Sequence, residues 1–105
     1  MKEFLVHLFH LILVGGFFLY VGITRNIPDY LYNVVLGTSA VIFLYHSYCA
    51  YQKQNPWVNL IHMFIVAPTL FVIGWNREKT PRYVFEILLL LGFSTIGYHG
   101  YYLAK

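Results

Sequence analysis

The sequence predicts an all-α membrane protein in which four transmembrane helices form a bundle. Hydrophobic residues make up 59% of the chain and charged residues only 10%, whereas water-soluble domains contain roughly 45–50% and 25%. The few charges cluster, which leaves four long stretches almost free of Asp, Glu, Lys and Arg. Each stretch exceeds the roughly 18 apolar residues that a spanning helix needs. Backbone groups in hydrocarbon must bond within their own segment, so we expect helices.

A short polar turn separates the first two predicted helices. The first helix is expected from about Phe4 to Thr24, and the second from about Tyr30 to Gln52. Pro28 lies between them, and proline both lacks a backbone donor and disfavours helix at the preceding residue. The first stretch is too long for the apolar core of a signal peptide, and no small-residue cleavage pattern follows it. We therefore expect it to be retained as a membrane span.

The third and fourth helices are predicted over about 57–75 and 82–103. Pro68 lies inside the third helix, where proline is expected to produce a kink. Gly15 and Gly16 occupy the equivalent level of the first helix. The four helices use almost the whole chain, which predicts one transmembrane domain over residues 1–105.

The sequence also indicates a duplicated helical hairpin, with repeat 1 at about 4–53 and repeat 2 at about 57–105. Shifting the chain by 52 residues, and by 53 after the first turn, aligns residues that rarely match by chance: His10/His62, Arg25/Arg77, Pro28/Pro81, Tyr45/Tyr98, His46/His99 and Tyr48/Tyr101. Each repeat has two spans, so the copies would share one orientation about a pseudo-twofold axis along the membrane normal. Both termini would then lie on one side of the membrane.

Histidines from all four predicted helices fall at a similar depth in the membrane. At 1.5 Å per residue they lie roughly 6–9 Å inside the interface. A fifth histidine, His7, is one turn from the first of them. Because polar side chains in apolar helices usually face the protein interior, these imidazoles are expected to converge near the bundle axis. The four are His10, His46, His62 and His99.

Three interpretations of this histidine layer remain open. In the first, the imidazoles only lock helices together through hydrogen bonds, beside an interfacial belt of tyrosines. In the second, they bind a cofactor: haem b held axially by His46 with His99, or by His10 with His62, or a transition metal that His7 could also ligate. In the third, the histidines relay protons, because imidazole changes charge near neutral pH; Ser39, Thr69 and Thr95 would extend the path.

Other classes of function receive less support. The net charge of +3 gives no dense basic surface, so we expect no nucleic-acid partner. Cys49 and Ser47 lack a convincing base and orienting group, and no phosphate-binding loop is present. The sequence therefore favours a non-enzymatic protein whose partners are the lipid bilayer and, as a further expectation, other copies of itself. The alternative is a proton or ion channel, or a pH-responsive membrane protein.

Four short motifs carry a family resemblance that covers nearly the whole chain. The chain resembles small, uncharacterised multi-pass membrane proteins of large double-stranded DNA viruses that infect algae and protists. The resemblance implies location in a host or virion membrane and favours a structural or host-modifying role, but it brings no known activity. The motifs are Trp57-Val58-Asn59-Leu60-Ile61-His62, Thr80-Pro81-Arg82, Phe85-Glu86 and Gly97-Tyr98-His99-Gly100-Tyr101-Tyr102.

Overall fold

The computed structural model describes residues 2–52 and 56–104, and four helices in these ranges are long and apolar enough to cross a membrane. Span 1 is Glu3–Thr24, span 2 is Asp29–Tyr51, span 3 is Trp57–Lys79 and span 4 is Arg82–Ala104. The described residues contain no strand. The predicted all-helical architecture and its four membrane-length segments are thus confirmed, consistent with a multi-pass membrane protein.

The chain divides into two compact units. Unit 1 consists of the described parts of Met1–Arg25 and Phe85–Lys105, and unit 2 is the described part of Asn26–Val84. Unit 1 therefore pairs span 1 with span 4, and unit 2 pairs span 2 with span 3. Each unit takes one long helix from each predicted repeat, so the compact units do not coincide with the repeats. The duplication itself stays a prediction.

Spans 1 and 3 each contain one wide turn of π-helix, at His10–Val14 and His62–Val66. The Gly15 N–H donates to the His10 carbonyl, and the Ala67 N–H donates to the His62 carbonyl. Pro68, where the sequence predicts a kink in span 3, lies just after this wide turn, in the first turn of the α-helix that follows. Proline's missing donor is tolerated there. Span 1 makes the same turn without a proline.

Unit 1 is held together by close packing of span 1 on span 4. Phe18, Val21 and Leu88 are buried. Gly22 permits the close approach: a Cβ there would lie 2.8 Å from Leu89 Cγ and 3.2 Å from the Phe85 carbonyl oxygen. Small residues at such positions allow van der Waals packing to hold helices together where no hydrophobic driving force acts between them.

Unit 2 has the same kind of contact between spans 2 and 3. Val35, Leu70 and Ile73 are fully buried. A Cβ on Gly74 would lie 3.0 Å from the backbone nitrogen of Leu36, so the two backbones nearly touch.

A buried hydroxyl adds a polar link inside unit 2. The Ser39 hydroxyl donates to the Ala67 carbonyl at 2.8 Å. This carbonyl lies just after the π-helical turn of span 3, where the regular bonding pattern of the helix changes. The hydroxyl therefore joins span 2 to span 3 at the residue where the wide turn ends.

An arginine with a positive φ links spans 2 and 3 at the end of unit 2 where span 2 begins and span 3 ends. Arg77 has φ 54° and donates to the Asp29 carbonyl at 3.2 Å and to Asn33 Oδ1 at 2.6 Å. Its guanidinium carbon lies 5.8 Å from the ring centroid of Tyr32. These contacts fix the start of span 2 against the end of span 3. In unit 1, Arg25 also has a positive φ, of 62°.

Replacing Gly74 by alanine should separate spans 2 and 3, because the added methyl group would lie 2.5 Å from Leu36 Cγ and 3.0 Å from the backbone nitrogen of Leu36. Such overpacking costs about 1–3 kcal/mol. Thermal unfolding of detergent-purified protein, followed by circular dichroism, measures the loss. The matched control is Gly37→Ala in span 2, where nothing lies within 4 Å of the added Cβ. Equal stability of the two variants would contradict this packing.

Candidate functional site

Three histidines meet in unit 1, where the start of span 1 packs on the end of span 4. His7 Nδ1 lies 2.7 Å from His99 Nδ1, which is a direct imidazole–imidazole hydrogen bond. The His10 ring stacks on His99 with centroids 4.6 Å apart and planes 24° from parallel. The His7 ring also stacks on Tyr102, with centroids 5.3 Å apart and planes 6° from parallel. All three histidines are half-buried.

The geometry of unit 1 sets where protons sit on these rings. A carbonyl oxygen can only accept, so the 2.8 Å contact of His10 Nδ1 with the Val6 carbonyl places a proton on that nitrogen. In the His7–His99 contact, one Nδ1 must donate and the other must accept. Only one of these two nitrogens can therefore carry a proton while the bond exists.

Unit 2 contains a second cluster, made by His46 of span 2 with Asn59 and His62 of span 3. The rings of His46 and His62 stack with centroids 4.1 Å apart and planes 20° from parallel. His46 Nδ1–H donates to Asn59 Oδ1 at 2.8 Å, and His62 Nδ1–H donates to the Val58 carbonyl at 2.7 Å. Asn59 is buried, with only 4% of its surface exposed. Its amide therefore acts as an internal partner for the imidazole.

The two clusters occupy matching positions in the sequence. A shift of 52 residues takes His10 to His62, Val6 to Val58 and His7 to Asn59, and a shift of 53 takes His99 to His46. Three contacts then have counterparts: a bond to the carbonyl one turn earlier, a stacked pair, and a polar contact from the neighbouring span. The last contact is made by histidine in unit 1 and by asparagine in unit 2, and Tyr102 of unit 1 aligns with Cys49 of unit 2.

The predicted site residues are thus brought together in two groups. His7, His10 and His99 contact one another in unit 1, and His46 contacts His62 in unit 2. Each pair predicted as axial haem ligands, His46 with His99 or His10 with His62, takes one residue from each unit. These haem pairings remain predictions.

The stacked pairs have the wrong geometry to share one metal ion. Nitrogen lone pairs lie in the plane of the ring, so two nearly parallel imidazoles direct them side by side rather than at a common atom. In the described residues, no group of three or more His, Cys, Asp or Glu side chains could hold a metal ion. The arrangement within each unit is suited to hydrogen bonding and proton binding.

The hydroxyl groups expected to extend a proton path make local contacts. The Thr69 and Thr95 hydroxyls donate to carbonyls one turn earlier in their own helices, at 2.7 and 2.8 Å. Ser39 donates to span 3. Two important partners were not recognised as such from sequence: Asn59, which accepts from His46, and Tyr102, which stacks on His7. The shift that aligns Asn59 with His7 was the available signal for the first.

The fold and its histidine clusters define the class of this chain as an all-helical protein with four candidate membrane spans. No protein-family model, curated protein or solved structure matches it.

Replacing Asn59 by the similarly sized leucine should leave the His46 Nδ1–H without its acceptor. Loss of a partner for a buried polar group costs about 1–3 kcal/mol, which denaturant unfolding in detergent can measure. In ¹⁵N spectra of histidine-labelled protein, His46 should change its proton distribution between the two ring nitrogens. His62 is the internal control, because its acceptor is a backbone carbonyl. An unchanged His46 spectrum would contradict the assigned contact.

Proposed function

We propose that this chain is a non-enzymatic, multi-pass membrane component in which histidine clusters fasten pairs of transmembrane helices. The observation that carries the proposal is an imidazole hydrogen bond between neighbouring spans in both units: His7 with His99, and His46 with Asn59. Within a bilayer there is little water to compete for these N–H groups, so interhelical polar contacts stabilise association. The histidines thus act as structural links between spans.

We further propose that the protein is a duplicated hairpin with both termini on one side of the membrane. Three matched features support this proposal beyond the sequence repeats. The two non-glycine residues with positive φ in the described chain are Arg25 and Arg77, which are 52 positions apart. The π-helical turns at His10–Val14 and His62–Val66 have the same spacing. The last feature is a matched pair of close glycine–leucine contacts, Gly22 with Leu89 and Gly74 with Leu36.

Lipid is the proposed partner of the outward surface. Large apolar side chains in the middle of the spans remain exposed, including Val41 at 66%, Leu44 at 68% and Leu90 at 66%. Unit 2 also carries an apolar groove of about 720 Å³, lined by residues of spans 2 and 3 such as Phe43 and Met63. Acyl chains can cover both features. The resemblance to viral proteins supports location of this chain in a host or virion membrane. We also propose that the chain associates with other copies of itself.

A second candidate function is a pH response or proton conduction, and the His7–His99 contact favours it. A hydrogen bond between two imidazole Nδ1 atoms exists only while one of these nitrogens is unprotonated and accepts. The bond is lost when both nitrogens carry protons. Histidine is also the side chain that changes charge near physiological pH. Such a contact is therefore sensitive to acidification in a way that an amide or hydroxyl contact is not.

If histidines fasten the spans, His46→Phe and His99→Phe should each lower the free energy of unfolding in detergent by about 1–3 kcal/mol. Phenylalanine preserves an aromatic ring but removes the N–H groups. Tyr48→Phe, at a position 63% exposed, is a matched control that should change little. Wild-type stability in both histidine variants would contradict the proposal.

The cofactor interpretation has its own test in the absorption spectrum. Under the fastening proposal, purified protein is colourless and free of bound metal. A Soret band that disappears in the double variant His46→Ala with His99→Ala would instead establish haem bound between those residues.

Proton flux into liposomes distinguishes conduction from fastening. A fastening role predicts that wild-type protein gives no more flux than a variant lacking all five histidines. Flux that depends on the histidines would favour the channel alternative over the structural one.

A further inference from the structure

The two histidine clusters differ at one position that bears directly on protons. In unit 1 the partner of His99 is His7; at the matching position of unit 2 the partner of His46 is Asn59. A neutral amide oxygen accepts a hydrogen bond at any physiological pH. An imidazole nitrogen accepts only while it is unprotonated. The difference predicts that the two units respond unequally to acid.

Protonation leaves the hydrogen bonds of unit 2 intact. His46 and His62 both carry a proton on Nδ1 already, because their partners are oxygens of Asn59 and of the Val58 carbonyl. An additional proton adds to Nε2 of either ring and leaves the Nδ1–H bond in place. The charge even strengthens such a bond, since ionised donors bind acceptors more tightly.

Protonation of unit 1 proceeds in two stages with opposite effects. A first proton on the His7–His99 pair gives one imidazolium whose Nδ1–H donates to the neutral Nδ1 of the other ring, a charge-assisted and stronger bond. A second proton must add to that accepting nitrogen. Both Nδ1 atoms then carry hydrogens, so the bond is lost and two positive charges face each other.

The other ionisable groups around this contact come from both spans of unit 1. On span 1, His10 stacks on His99, and exposed Glu3 lies one turn before His7. On span 4, Tyr102 stacks on His7 and Tyr98 packs edge-on against His99. Repulsion between stacked imidazolium rings arises in both units, at centroid distances of 4.6 and 4.1 Å. Stacking therefore does not distinguish the units.

We propose that the His7–His99 contact is a proton-sensitive latch, which releases the start of span 1 from the end of span 4 when both rings are protonated. Unit 2 retains its contacts at that pH, because Asn59 replaces the titrating partner. The proposal rests on the pH response proposed above and assigns it to one unit and one residue. Exchanging histidine and asparagine at the two matching positions should exchange the behaviour of the units.

Spin-label distances within each unit provide the test. In a Cys49→Ala background, nitroxides are attached at positions 9 and 101 for unit 1, and at positions 61 and 48 for unit 2. The native residues Phe9, Tyr101, Ile61 and Tyr48 are all exposed and occupy matching positions. Pulsed electron resonance in lipid nanodiscs between pH 8 and pH 4.5 records the distance distribution of each pair.

The expected result is that the unit 1 distance lengthens on acidification by more than any change in the unit 2 distance. His7→Asn should reduce the lengthening in unit 1 to the change seen in unit 2. Asn59→His should increase the change in unit 2. The first variant copies a contact that already exists in this protein, so it remains informative even if the second fails to fold.

Three outcomes would overturn the proposal for different reasons. Distances that stay constant in both units across the whole range would remove the pH response itself. Equal lengthening in the two wild-type units would leave a pH response but remove its assignment to His7. Lengthening in unit 1 that His7→Asn does not reduce would locate the response in the stacked His10–His99 pair instead.

Discussion

The structure depends on one constraint: polar groups that enter a bilayer must find partners inside the protein. The histidines meet this constraint partly within their own helices and partly across helix pairs. His10 and His62 donate to the carbonyl one turn earlier, which fixes each ring beside its own helix. The rings of His99 and His46, from the neighbouring spans, then stack on them. These hydrogen bonds within one helix therefore hold each ring in the position on which the paired span packs.

Close helix packing makes these imidazole contacts geometrically accessible. Gly22 in unit 1 and Gly74 in unit 2 leave no room for even a methyl group between paired helices. The wide turns after His10 and His62 change the direction of side chains that follow each histidine. Glycine contacts near one end and histidine clusters near the other thus act on the same helix pair. Apolar packing brings the paired helices close together. The histidine contacts then determine which residues of the two helices meet.

The sequence was sufficient to predict the spans but not their partners. Bilayer thickness dictates the length of an apolar run, so Glu3–Thr24 and the other three spans could be located from composition and charge. Hydropathy contains no information about which face meets which neighbour. The pairing of His10 with His99 rather than with His62, and the π-helical turns, depend on tertiary contacts. Asn59 was not assigned from the sequence as a partner of His46, although a shift of 52 residues aligns Asn59 with His7.

Solid-state NMR of ¹³C,¹⁵N-histidine protein in lipid bilayers tests most directly whether imidazoles join the paired spans. Single-histidine variants assign the five ring systems. The structure predicts through-space cross-peaks between the rings of His10 and His99, and between those of His46 and His62, whose centroids are 4.6 and 4.1 Å apart. Folded, membrane-inserted protein that lacks both cross-peaks would contradict histidine-linked helix pairs.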